Sequence, residues 1–196
     1  MPKILAIETS TNACSAALLN GSEIGSEYSY APQQHAKLML PMIAKLLALF
    51  SLKLQQLDAI AFSYGPGSFT GVRIAAGFAQ GLGFGADLPV IPISSLQTLA
   101  QTAYDQYQIT HAISTMDARM HEIYWGIYQT DTQNIMRPLT ADTLTKPNAI
   151  KIPSDNKWVI VGNGWNKSQY HDLFPHAASM LKLAVAEYPT NCLLYT

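Results

Sequence analysis

ILAIETSTNACSAALLNGSEIGSEYSY, residues 4–30, is the stretch on which the fold turns. Apolar runs alternate there with short polar breaks. Lys3–Thr9 reads as a buried strand, Ser15–Asn20 as a second, and Glu23–Tyr30 as a third with partial alternation. Asn20-Gly21 supplies the positive φ angles of a tight hairpin turn. Between the first two strands, Thr9-Ser10-Thr11-Asn12 consists of short hydroxyl and amide residues, which favour turns and can also bind phosphate oxygens. A three-strand meander followed by alternating helices and strands predicts a mixed sheet rather than the parallel sheet of a dinucleotide-binding fold. Nor does a G-x-G-x-x-G follow the first strand, since Gly65-x-Gly67-x-x-Thr70 lacks the third glycine.

Outward from the meander, Gln33–Phe50 reads as a helix with Pro41 as a kink, and Asp58–Tyr64 as a fourth strand. A Gly/Pro-rich loop, Gly65–Gly71, opens a helix over Val72–Ala86. Pro89–Ile93 forms a short strand, and Ser94 or Ser95 caps a helix ending near Gln106. After Gln108 the pattern starts afresh. His111–Met116 and Glu122–Gln129 are strands around an exposed turn with Asp117, Arg119 and His121. Thr130–Lys157 is polar and weakly patterned, read as loops with short strands. Trp158–Val161 is a strand ending in Gly162-Asn163-Gly164, and a last helix covers His176–Tyr188. This order predicts a βββαβαβα lobe over 1–107 and a smaller α/β lobe over 108–196, whose last helix can pack back on the first lobe.

Composition narrows the function classes. With 48% hydrophobic and 13% charged residues in 196, the chain is a folded globular protein rather than a disordered one. The net charge of −1 and the absence of any Lys/Arg cluster argue against a direct grip on nucleic acid, so any contact with it should run through another protein. Cys14 and Cys192 are expected as two reduced thiols. No apolar stretch approaches the roughly 20 residues that span a bilayer, and Glu8 interrupts any apolar signal core. No membrane contact is expected, and the cytoplasm is the expected location.

Three segments carry the candidate chemistry. Gly65, Gly67, Ser68, Thr70 and Gly71 lie between a strand and a helix, which suits an anion at the positive helix end or a tight capped connection. In the following helix Gly77, Gly81 and Gly85 fall on one stripe. Each costs about 1 kcal/mol relative to alanine, which implies a packing reason, within the chain or against a partner. On the Gln33–Phe50 helix, Met39, Leu40, Ile43, Leu46, Leu47 and Phe50 make a core face. Leu38, Met42 and Leu49 form a second apolar strip that predicts a protein interface. The five histidines show no H-x-x-x-H spacing, so no metal is expected. Asp117, Arg119 and Glu122 read as a charge-paired turn, and no catalytic residue is expected.

Residues Ile4–Leu19, His35–Ile43 and Asp58–Phe84, above all the block GPGSFTGVR, resemble the TsaB family, also called YeaZ and once labelled a glycoprotease-like peptidase. The resemblance implies an actin-like ASKHA (ribonuclease H-like) α/β fold of two lobes, each with a mixed sheet and helices. The N-terminal hairpin, with Thr9, Ser10, Thr11 and Asn12, would then correspond to a nucleotide-phosphate loop. It also implies a non-catalytic subunit of the bacterial complex that makes N6-threonylcarbamoyladenosine in tRNA. Such a subunit supports a TsaD-like paralogue, is joined by a TsaE-like ATPase, and docks through its two N-terminal helices, the surface through which it also forms a homodimer. By itself it would carry no cofactor, with ATP or ADP and Mg²⁺ belonging to the partner junction. Glu8 stands where the family usually carries Asp, and Asn191–Thr196 lacks the extended Arg-containing tail expected of it. Two rival readings are a metallopeptidase of the M22 type and a small-molecule ASKHA kinase. The first lacks a paired-histidine motif, and the second lacks an evident Asp base after an early strand.

Overall fold

The computed structural model describes residues 2–153, 155 and 157–188. Strands β1 (Ile4–Glu8), β2 (Ala13–Asn20) and β3 (Glu23–Tyr30) form the meander. Helix α1 (His35–Leu49) follows, then β4 (Ala59–Gly65), α2 (Phe69–Ala86), β5 (Val90–Ser94) and α3 (Ser95–Tyr107). The sheet order β3-β2-β1-β4-β5 is mixed. β1 pairs antiparallel with β2 (Ile4↔Leu19) and parallel with β4 (Ile4↔Ala59). The central strand is buried on both faces, which explains its unbroken apolar run. Edge strand β3 is largely exposed and reads as polar alternation.

The second sheet, β10-β6-β7-β8 with β9 also on β7, is built from β6 (His111–Arg119), β7 (Glu122–Thr130), β8 (Met136–Pro138), β9 (Thr143–Thr145) and β10 (Val159–Val161). β6 and β7 are antiparallel whereas β10 joins β6 in parallel, so this sheet too is mixed. The strands β8 and β9 fall in the weakly patterned stretch after Thr130. Each has three residues, too few for a period of two to show.

Among the described residues three cores hold the layers. α1 and α2 cover one face of the first sheet through Leu5, Ile7, Leu18, Met39, Ile43, Leu46, Ala75 and Ala79. The last helix, α4 (Ala177–Glu187), covers the other face with Met180, Leu181 and Leu183 against Ile4, Ala6 and Ile93. Its first amide is tied to the sheet, because Ala177 N–H donates to Ser15 Oγ at 3.0 Å. α3 seats on the second sheet through Leu96, Leu99 and Ala103. Lys182 on α4 meets Asp105 on α3 at 2.6 Å, which joins the two layers. Among the described residues no helix is long and apolar enough to cross a membrane. Cys14 is buried as a free thiol, pushed up to about 11 by burial and the charge of Glu8. Cys192 and Asn191–Thr196 lie outside the described residues.

Candidate functional site

The turn after β1 and the loop after β4 are packed against each other. Ser68 N–H donates to the Ser10 carbonyl at 2.7 Å, and the Thr9 hydroxyl donates to the Gly71 carbonyl at 2.7 Å. A Cβ on Gly67 would run into the Ser10 backbone, and one on Gly71 into the Thr9 carbonyl. Ser68 is the N-cap of α2, its Oγ accepting from Gly71 N–H at 3.4 Å. The loop Gly65–Gly71 is a tight connection with Ser68 as the helix cap. The glycines admit the neighbouring backbone, and the Ser68 amide is already spent within the chain.

Beneath this contact lies Glu8, wholly buried. Its Oε1 accepts the Ser10 amide at 2.6 Å, while Oε2 and the buried hydroxyls of Ser10 and Ser63 find no partner. Burial pushes the carboxyl from 4.5 up to about 7, opposed in part by the hydrogen bond from the Ser10 amide. His35 clamps the far side of the turn, with Nε2 at 2.8 Å from the Thr11 carbonyl and 3.2 Å from that of Ala13.

Between the two lobes a cleft of about 400 Å³ is lined by Ser10, Thr11, Asn12, Gly67, Ser68 and Phe69 on one wall. The opposite wall carries Met116, Asp117, Ala118, Arg119, Tyr124 and Asn163. The turn residues predicted to meet phosphate thus divide. Thr9 is buried with its hydroxyl spent, Ser10 Oγ is buried, and the Thr11 Oγ accepts the Ala13 amide at 3.2 Å. Asn12 alone of the four is exposed. On the facing wall Asp117 holds Arg119 at 3.3 Å, and Asn163 Oδ1 accepts the Asp117 amide at 3.3 Å. Asp117, Arg119 and Asn163 were individually visible in the sequence as turn residues. Their meeting with Asn12 across a cleft was not. The available signal was the repetition of a strand–polar turn–strand unit at 111–129.

A magnesium nucleotide, which the fold family implies, needs donors for phosphate and a carboxylate or two for the ion. Asn12, Ser68, Asn163 and Arg119 fit the first requirement. Glu8 does not serve the second, being sealed beneath the turn, and Asp117 is the one carboxylate among the cleft-lining residues. Among the described residues no group of three or more His, Cys, Asp or Glu side chains is placed to hold a metal ion.

The predicted interface residues divide as well. Gly77, Gly81 and Gly85 are exposed on the outer face of α2, and a Cβ on any of them would meet nothing within 4 Å. Phe84, 82% exposed, stands beside them. On α1, Leu49 is exposed and Leu38 half-buried, but Met42 is in the core with its sulfur 4.0 Å from Cys14 Sγ, and so leaves the strip. Leu40, expected in the core face, is exposed instead. The sheet meets α1 along His35, Met39, Met42, Ile43 and Leu46. Met42 lies about 60° from Met39 on one side, whereas Leu40 lies about 100° away on the other.

Residues 27–185 match the family described as "TsaD: tRNA N6-adenosine threonylcarbamoyltransferase". The chain is 40% identical over 166 residues to the tRNA threonylcarbamoyladenosine biosynthesis protein TsaB of Escherichia coli, covering 83% of this chain and 72% of that one. It is 41% identical over 205 residues to the protein of that name from Haemophilus influenzae, covering 94% and 86%. Among solved structures, YeaZ from Pseudomonas aeruginosa is similar with a TM-score of 0.93 at 38% identity, covering 99% of this chain and 96% of that one.

Proposed function

We propose, from the premise that this chain belongs to the TsaB family of tRNA threonylcarbamoyladenosine biosynthesis proteins, that it is the non-catalytic partner subunit of a TsaD-type transferase. Its fold is the actin-like ASKHA arrangement of two mixed sheets with helices. One observation carries the subunit reading. The glycine stripe of α2 faces solvent with open space above it, so these glycines answer no packing need within the chain. A second helix could approach that stripe at backbone distance, with Phe84 as an apolar flank. The same surface serves the transferase and a second copy of this chain, and the two compete. A TsaE-like ATPase joins the assembly, tRNA is met through the partner, and the work takes place in the cytoplasm. ATP or ADP with Mg²⁺ belongs to the assembled junction, held on this side by Asn12, Asn163 and Arg119, with Asp117 toward the ion.

The test is reconstitution. With a TsaD-type transferase and the other components supplied, modified nucleoside measured by mass spectrometry should depend on this chain, and Gly81→Leu should abolish both the dependence and co-sedimentation. Full modification without the chain would sink the reading. Phosphate release by the chain alone, in the usual enzyme range of roughly 1–1,000 s⁻¹, would favour the kinase reading instead.

A further inference from the structure

A second groove, of about 900 Å³, opens where β4 and β5 end and α3 begins, and the 138–144 segment forms its far wall. It shares only Tyr124 with the inter-lobe cleft. At its floor is Asp142. Ser94 Oγ donates to Asp142 Oδ2 at 2.6 Å, and the hydroxyl of the buried Tyr128 donates to Oδ1. Burial, then the charge of Asp142, holds the Tyr128 hydroxyl well above the usual tyrosine range, so it remains a donor. The sheet makes room for this carboxylate. Gly126 on β7 lies close beside it, where a Cβ would stand 2.8 Å from Asp142 Oδ1.

Asp105, Asp117, Asp131 and Asp155 each pair with a Lys or Arg, whereas Asp142, like Asp58, Asp87 and Asp172, makes no salt bridge among the described residues, and no basic residue lines the groove. The rings of Tyr64 and Tyr124 line it with accessible surface, while the ring of Tyr128 is buried. A partly buried carboxylate with two hydroxyl donors keeps one further lone pair on each oxygen, which suits a planar fork of N–H groups. Aromatic faces beside it suit a delocalised, weakly hydrated cation better than an ammonium. We propose that this groove takes the guanidinium of an arginine carried on an extended segment of a partner protein, with Asp142 as the acceptor and Tyr64 and Tyr124 as its walls. The groove is far larger than one guanidinium, and its rim is apolar, with Tyr64, Leu139 and Leu144 each about half exposed. Those rim residues receive the apolar neighbours of the arginine. This site is independent of the glycine face of α2.

Amide chemical-shift titration of the whole chain with acetyl-Leu-Arg-Leu-amide tests it. Saturable shifts are expected at Gln97, Gly126 and 140–144, and the citrulline peptide, isosteric but neutral, should bind at least about tenfold more weakly. Tyr64→Ala, which removes a half-exposed wall, should weaken the arginine peptide several-fold with the thermal melt unchanged. Asp142→Asn should erase the preference for arginine over citrulline. If that variant does not fold, the Tyr64→Ala and citrulline comparisons decide. Equal binding of both peptides, shifts confined to Asn12 and Asn163, or no saturable shift up to about 10 mM overturns the proposal. Equally tight binding of acetylarginine methylamide overturns the peptide as the carrier.

Discussion

Helix α2 carries two stripes of small residues at four-residue spacing, and they do opposite things. Gly71, Ala75, Ala79 and Gly83 are buried toward the first sheet, whereas Gly77, Gly81 and Gly85 face solvent. At Gly71 a Cβ would strike the Thr9 carbonyl, so the absent side chain is what lets β1 and α2 meet. At Gly81 a Cβ would touch nothing, so its absence only weakens the helix of the free protein. An identical residue type thus marks a close backbone contact on one side and open space on the other. In the proposed subunit the outer stripe is the surface left for a partner.

Substitutions at the inner contacts should be the most severe. Met42→Glu places an unpaired carboxylate among Met39, Ile43 and Cys14, and should destabilise the fold by about 4 kcal/mol. The expected outcome is a collapsed thermal melt. Leu49→Glu, on an exposed position of the same helix, should leave the melt alone and weaken association in sedimentation experiments. Equal melts for the two variants would contradict the division between inner and outer faces.

Glu8 should give a pH signature of the inner side. Its folded pKa of about 7 lies above the ordinary 4.5, so the native state binds more protons than the unfolded chain between those values. The contribution of the protonated carboxyl is therefore complete below 4.5 and is lost as pH rises to about 7, a loss of order 3 kcal/mol at about 1.4 per pH unit. Urea titrations across that window should show this slope, and Glu8→Gln should flatten it. Gly71→Ala comes next, at about 2–3 kcal/mol of lost stability read from the denaturant midpoint, because backbone rather than a flexible side chain must yield. The smallest effect has the opposite sign. Gly81→Ala should stabilise the isolated chain by about 1 kcal/mol while weakening its association, a pairing that no buried position would give.

The identity and order of most elements were readable from local pattern alone. β3 was expected over Glu23–Tyr30 and is found there, and the α1 expectation of Gln33–Phe50 contracts to His35–Leu49. Alternation, the Asn20-Gly21 turn and serine capping act over a few residues, so a single chain carries them openly. The rotation of α1 about its axis was not readable. With apolar residues at Leu38, Met39, Leu40, Met42 and Ile43, several faces could have been buried, and only contact with β2 and β3 selected Met42 over Leu40. The same holds for the glycines. Spacing placed Gly71 and Gly81 on α2, but whether a backbone or open solvent stands opposite depends on residues far away in the chain. The Asp142 groove joins Tyr64, Ser94, Tyr128 and Asp142 from a loop-like stretch and three separate elements. Local periodicity reports which way a side chain points relative to its own element. What it meets there is set by the packing of the layers, and that is a property of the tertiary structure.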